Sequence, residues 1–193
     1  MNHLGTQLIY TGRFRLRPYR KGDEYQMYHN FLGDPLVTRY VTWETYQNID
    51  VARQLLYLHL FHYQKQPRTY YEWAIEAGGE LIGSVDAFNI QEDICACEIG
   101  CVVGSKYWGR GIATEALSAV IFFLFEEVGF HRVCATHHEK NTAAGIILEN
   151  VGMRREGRLR SAVKNKDGTF GDLICYGVLK EDLQRKKHQR CGR

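Results

Sequence analysis

The run Ser105-Lys106-Tyr107-Trp108-Gly109-Arg110-Gly111-Ile112-Ala113-Thr114-Glu115-Ala116-Leu117 sets one arginine between two glycines, directly before an amphipathic stretch. The first turn of a helix presents N–H groups without intrahelical partners and the positive end of its peptide dipoles, a combination that favours bound phosphate. Glycine at Gly109 and Gly111 lets the backbone take positive φ and approach a bulky anion closely. Arg110 adds a cation beside it. The pattern predicts a strand–turn–helix cradle for a pyrophosphate, and hence a nucleotide-containing ligand. A P-loop would need Gly-x-x-x-x-Gly-Lys followed by Ser or Thr, and that run is absent. The dinucleotide fingerprint needs a third glycine where the chain continues Thr114-Glu115.

Elements on either side must hold this cradle. Arg13 to Arg17 alternates and is closed by Pro18, as a strand would. Lys21-Gly22-Asp23 opens a helix that runs through Phe31, and a second helix is expected from Ile49 to Gln64. Residues 71–77 and 81–89 read as strands joined by Gly78-Gly79, and 94–103 as the strand that leads into the cradle. The helix from Gly111 to Val128 buries Leu117, Val120, Ile121 and Leu124 and stops at Gly129. A strand from His131 to Thr136, a short helix from Asn141 to Asn150, and a strand pair at 153–159 and 173–179 complete the order β-α-α-β-β-β-α-β-α-β-β. One α+β domain over residues 1–184 is expected, with 185–193 as a basic, disordered tail.

The 193 residues carry a formal net charge of +3. Arg185, Lys186, Lys187, Arg190 and Arg193 supply five of the positive charges, which leaves the rest of the chain at a net −2. A near-neutral body argues against a nucleic-acid surface. No signal peptide and no apolar run of membrane-crossing length is present, so a cytoplasmic protein without a membrane partner is expected. Its six cysteines should then be reduced. Cys95, Cys97 and Cys101 share strand parity, but without Cys-x-x-Cys or paired histidines no metal site is expected.

Trp108-Gly109-Arg110-Gly111-Ile112-Ala113 resembles the acyl-coenzyme A signature Gln/Arg-x-x-Gly-x-Gly/Ala of the Gcn5-related N-acetyltransferases (GNAT), in the form with tryptophan at its head. Trp-Gly-x-Gly-x-Ala-Thr-Glu-Ala is similar to the RimJ/RimL branch, as are Phe14-Arg15-Leu16-Arg17-Pro18 and Leu148-Glu149-Asn150-Val151-Gly152. The resemblance covers Phe14 to Leu183 and implies the GNAT fold, a mixed, mostly antiparallel central sheet flanked by helices. It also implies acetyl-coenzyme A as cofactor and, as acceptor, a small-molecule amine or a protein N-terminus. Pyrophosphate would lie on Trp108, Gly109, Arg110, Gly111, Ile112, Ala113 and Thr114, and pantetheine against Cys101, Val102 and Val103. Asn141 maps onto an asparagine that the family sets against coenzyme A. It is also a good N-cap. A homodimer is compatible with the branch.

For the chemistry, Glu98 within Glu-Ile-Gly is a carboxylate in an apolar strand and should face a cleft. There it would deprotonate an amine or hold a cation, or else form a structural ion pair. His137 or His138 would supply protons near neutral pH. Trp43, with Arg39 and Tyr46, would line the acceptor site, and Asp172 and Tyr176 alternate onto one face that could reach it. Two departures stand out: the family's serine falls at Ala144, and the tyrosine many members use to protonate the thiolate falls at Leu148. These leave a non-catalytic acyl-coenzyme A-binding protein as the alternative to an enzyme working by direct attack in a ternary complex.

Overall fold

The computed structural model describes residues 1–183. The tail at 185–193 lies outside them. Strands β1 (Ile9–Tyr10), β2 (Arg15–Arg17), β3 (Tyr71–Ala77), β4 (Glu80–Gln91), β5 (Ala96–Val103), β6 (Arg132–His138), β7 (Arg154–Lys164) and β8 (Phe170–Leu179) form one sheet in the order β1-β2-β3-β4-β5-β6-β8-β7. Among the described residues every neighbouring pair is antiparallel except β5–β6. The chain crosses between those two through helix α3 (Ile112–Phe123), as parallel pairing demands.

Alternation along the strands sorts the two faces. Tyr71, Trp73 and Ile75 of β3, Val85 and Ala87 of β4, and Cys97 and Ile99 of β5 pack under α3 and α4 (Thr142–Asn150), with Leu117, Val120, Ile121 and Leu148. The opposite face carries a smaller cluster in which Ala74 and Leu81 meet Met27, Phe31 and Leu56. These come from α1 (Glu24–Met27), its wider continuation Tyr28–Leu32, and α2 (Ile49–Tyr63). Asn48 caps α2, accepting from the N–H groups of Asp50 and Val51 at 3.0 and 3.3 Å.

The differences from the sequence expectations are local. The strand expected at 94–103 begins at Ala96, because Cys95 sits at φ +51 in a turn, which removes it from the parity shared by Cys97 and Cys101. β1 was not expected. The strand pair expected at 153–159 and 173–179 runs longer, over Arg154–Lys164 and Phe170–Leu179. The α3 stretch widens over Leu124–Val128 before Gly129 ends it at φ +91.

Candidate functional site

β5 and β6 pair only through Ala96–Arg132, Cys97–Val133 and Glu98–Cys134. Beyond Glu98 the strands part. The Gly104 N–H donates to the Ile82 carbonyl at 2.9 Å, which fixes the alternation of the β4–β5 ladder. The peptide groups of Cys101 and Val103 therefore aim away from β4, into the opening. The Val103 carbonyl is taken by the Trp108 indole N–H at 2.7 Å. The opening thus offers peptide partners to a ligand, which is what amides of a pantetheine arm require.

At the wide end of the opening lies the cradle. Gly109 and Gly111 hold φ +73 and +70, the left-handed region that only glycine enters without strain. Gly111 is the N-cap of α3 and no side chain caps that end. The first-turn N–H groups and the dipole are left to a ligand. Arg13 braces the loop by donating to the Arg110 carbonyl at 2.6 Å and to Glu115 at 2.6 Å. Lys106 and Arg110 both lie against the Tyr107 ring, at 5.2 and 5.8 Å. Trp108, Ile112, Ala113 and Thr114 complete the turn. These residues fit a pyrophosphate-bearing cofactor.

Glu98 stands where the strands part, with both oxygens engaged. Thr136 Oγ1 donates to one and Asn89 Nδ2 to the other, each at 3.0 Å. Asn89 reaches it from a bulge in β4, at φ +48. The two histidines face opposite ways. His138 is buried against Tyr40, receives the Lys140 N–H at 3.0 Å on Nδ1 and pairs through Nε2 with Asn165 at 2.8 Å, a structural role. His137 lies on the α4 side, its Nδ1 2.8 Å from the His138 carbonyl and its Nε2 buried without a partner among the described residues. A buried polar atom of that kind beside the opening suits a ligand group. Asn141 caps α4 through the Ala144 N–H at 3.3 Å.

The structure does not bring all the expected residues together. Trp43 packs edge-on to Tyr46 at the α1–α2 face. Tyr176 lies on the other face, buried against α4, 5.5 Å from the His137 ring and within 3.3 Å of Glu149. Asp172 accepts from Arg158 and from the Ser161 N–H, and so pins the β7–β8 ribbon instead of reaching the site. Burial pushes the thiols of Cys101 and Cys134 up, and nearby carboxylates (Asp86 for the first, Glu98 for the second) add to the effect. Neither is an activated nucleophile. Among the described residues no group of three or more His, Cys, Asp or Glu side chains is placed to hold a metal ion.

Two carboxylates escaped the sequence reading. Glu72 on β3 is the cross-strand partner of Asp86 on β4, and Asp86 in turn of Gly100 on β5. A cavity of about 360 Å³, lined by Tyr70, Glu72, Asp86, Phe88 and Asn89 among others, opens over them. Burial drives the Glu72 carboxyl well above the usual range, and the Asp86 charge raises it further against a hydrogen bond from Ser84. Burial, with the charge of Glu98, pushes Asp86 up to about 6. Sequence spacing alone carries no sign of this pair, because strand register creates it.

A family model described as "Acetyltransferase (GNAT) domain" matches residues 13–154. The chain belongs to the GNAT acetyltransferases. It is an acetyl-coenzyme A-dependent acyltransferase. This acetyltransferase is 25% identical over 176 residues to the uncharacterized N-acetyltransferase p20 of Bacillus licheniformis, covering 91% of this chain and 98% of that one. Against the [ribosomal protein uS5]-alanine N-acetyltransferase of Escherichia coli it is 32% identical over 104 residues, 53% of each chain. The fold is shared with Mycobacterium smegmatis RimJ in complex with CoA-disulfide, at a TM-score of 0.83 and 25% identity, over 95% of this chain and 92% of that one.

Proposed function

We propose that this acetyltransferase moves an acetyl group from acetyl-coenzyme A to a primary amine by direct attack, in one complex of protein, thioester and amine. The observation that carries the reading is the continuity of the β5–β6 opening with the uncapped N-terminus of α3. The Trp108–Thr114 loop would hold the phosphates. The peptide groups around Cys101, Val102 and Val103 would hold the pantetheine arm, and Asn141 would border it. When bound, the cofactor supplies an acyl thioester whose carbon accepts the amine and whose thiol departs. A protein-thiol route is disfavoured by the raised thiols of Cys101 and Cys134. No dedicated acid is needed for the departing group, since a thiol near pKa ~8.5 leaves tolerably at neutral pH.

The acceptor class rests on chemistry. A peptide α-amine with pKa ~8 gives up its proton more readily than a lysine at ~10.4. The similarity to an enzyme acting on an N-terminal alanine of a ribosomal protein supports a protein N-terminus, with small amines as the other class. Residues 1–184 would act as one unit in the cytoplasm. The test is coenzyme A release from acetyl-coenzyme A across N-terminal peptides, polyamines, amino acids and aminoglycosides. Turnover with one amine class is expected. Silence across the panel, with acetyl-coenzyme A binding shown by calorimetry, would overturn the amine assignment.

A further inference from the structure

Glu72, Asp86 and Glu98 all point to the α1–α2 face of the sheet, on three adjacent strands. Side chains directly opposite on neighbouring strands stand about 4.5–5.5 Å apart at Cβ. Their partners differ. Glu98 has both oxygens occupied by Thr136 and Asn89. Glu72 accepts from Ser84. Among the described residues Asp86 accepts from nothing but its own amide. Asp86 is half-buried, and it lines the cavity. Among the described residues neither Glu72 nor Asp86 forms an ion pair with a lysine, arginine or histidine.

Gly100 explains how Asp86 comes to lie where it does. A methyl group on Gly100 would stand 2.5 Å from Asp86 Oδ1, closer than any real side chain tolerates. The missing side chain lets the carboxylate lie on the β5 backbone. That position is one residue from the Cys101 peptide group, which faces the opening for the thioester. Asn89, on the cavity rim, continues the same surface to Glu98 at the point where the strands part. An amine lying in the cavity beside Asp86 would therefore meet the thioester side of β5 over a glycine.

We infer that Asp86 receives the amino group of the acceptor and takes its proton, with Glu72 completing the polar floor of the cavity. The inference rests on the acetyl-transfer reading above and names the residue that reading lacks. Asp86 is half-buried and lacks a cation in the free protein, and an ammonium group supplies one. The step is simple: an N–H bond of the ammonium breaks, an O–H bond forms on Asp86, and the lone pair left on nitrogen becomes the nucleophile. The proton leaves Asp86 for solvent through the open mouth of the cavity. The groups facing the pair are Ser84 beside Asp86, Glu98 on β5, Tyr63 from α2, and Tyr19 and Tyr70 from the segments before α1 and β3. Burial raises both carboxyls, Glu72 well above the usual carboxylate range and Asp86 to about 6, so Asp86 carries charge above that pH. A base titrating just below the working pH is well matched to this task.

The test compares wild type with Asp86→Asn and Glu98→Gln. Calorimetry measures binding of spermidine, an alanine-initiated hexapeptide and a serine-initiated hexapeptide to protein saturated with coenzyme A, a readout that needs no turnover. Asp86→Asn is expected to weaken binding of the accepted amine at least about tenfold and to lower kcat about 100-fold or more. It should also abolish the acid limb of the pH–rate profile, while Glu98→Gln keeps that limb. Coenzyme A affinity within about twofold of wild type certifies the fold of each variant. Wild-type amine affinity and an unchanged acid limb in Asp86→Asn would overturn the inference and leave the transferase reading standing. Failure of the coenzyme A-saturated wild type to bind any of the three amines would overturn the cavity as an amine site. Failure of the wild type to bind acetyl-coenzyme A would sink the transferase reading itself, and this inference with it.

Discussion

Arg17→Ala is expected to destabilise the protein by about 3 kcal/mol, at the lower end of the cost of stranding a buried charge. Arg17 is only 6% exposed and sits between two buried carboxylates, Glu76 at 4% and Asp23 at 6%. Its Nε donates to Glu76 at 2.5 Å, and its two terminal nitrogens donate to Asp23 at 2.7 and 2.9 Å. The fork thus ties β2 and β3 to the start of α1. Alanine would leave Asp23 with the Arg20 amide at 2.8 Å and the Arg20 guanidinium at 3.8 Å, while Glu76 would keep Arg15 and Arg20. Urea unfolding reads the effect as a lower midpoint with unchanged slope. A loss below about 1 kcal/mol would mean that Arg15 and Arg20 satisfy both acids alone. Acid should act on the same network. Burial alone would raise the Glu76 carboxyl, but the Arg17 and Arg15 hydrogen bonds overcome it and hold it low. A depressed folded-state pKa contributes stability above the unfolded value of ~4.3, and that stability is lost as pH falls below it.

Gly111→Val should weaken coenzyme A binding by about 100-fold, the equivalent of about 3 kcal/mol of left-handed strain in a β-branched residue. Space is not the obstacle, since an added Cβ would meet nothing nearer than Arg13 Nη2 at 3.5 Å. The obstacle is φ +70 at the N-cap of α3. To escape it the loop must turn, and the N–H groups of the first turn turn with it. Gly111→Asn is the control, because asparagine tolerates this region, and it should retain much of the affinity. Calorimetric titration with coenzyme A gives both numbers. Normal affinity in the valine variant would refute the cradle.

Legibility followed locality. The cradle could be read from the chain because glycine spacing, the cation and the helix start lie within a dozen residues. Asn141 as a helix cap and the opposed faces of His137 and His138 were equally accessible, since each follows from near neighbours. Asp86 was not. It stands in an ordinary stretch, Gly83-Ser84-Val85-Asp86-Ala87, and only the pairing of three strands shows Glu72 on one side of it and Gly100 on the other. The same limit left Tyr176 open between an acceptor site and the core. Parity put it on one face with Asp172, as found, but could not say that this face belongs to α4 and not to Trp43. The start of β5 failed for a different reason, the positive φ of Cys95.

The sheet has a seam. Strands β1 to β5 form one leaf, and β6, β8 and β7 the other, with three residue pairs as their whole ladder connection. Beyond the seam the leaves are held by α3, α4 and the core they share. A ligand arm lying between β5 and β6 would act as a strand that the chain itself never supplies, closing the ladder from Cys101 to Val103. Binding then becomes a tertiary contact. At a cofactor concentration of 100 times Kd it would add about 2.7 kcal/mol to stability. Hydrogen exchange should show it first at the Cys101 and Val103 amides, which would pass from unpaired to protected as the leaves are stitched together.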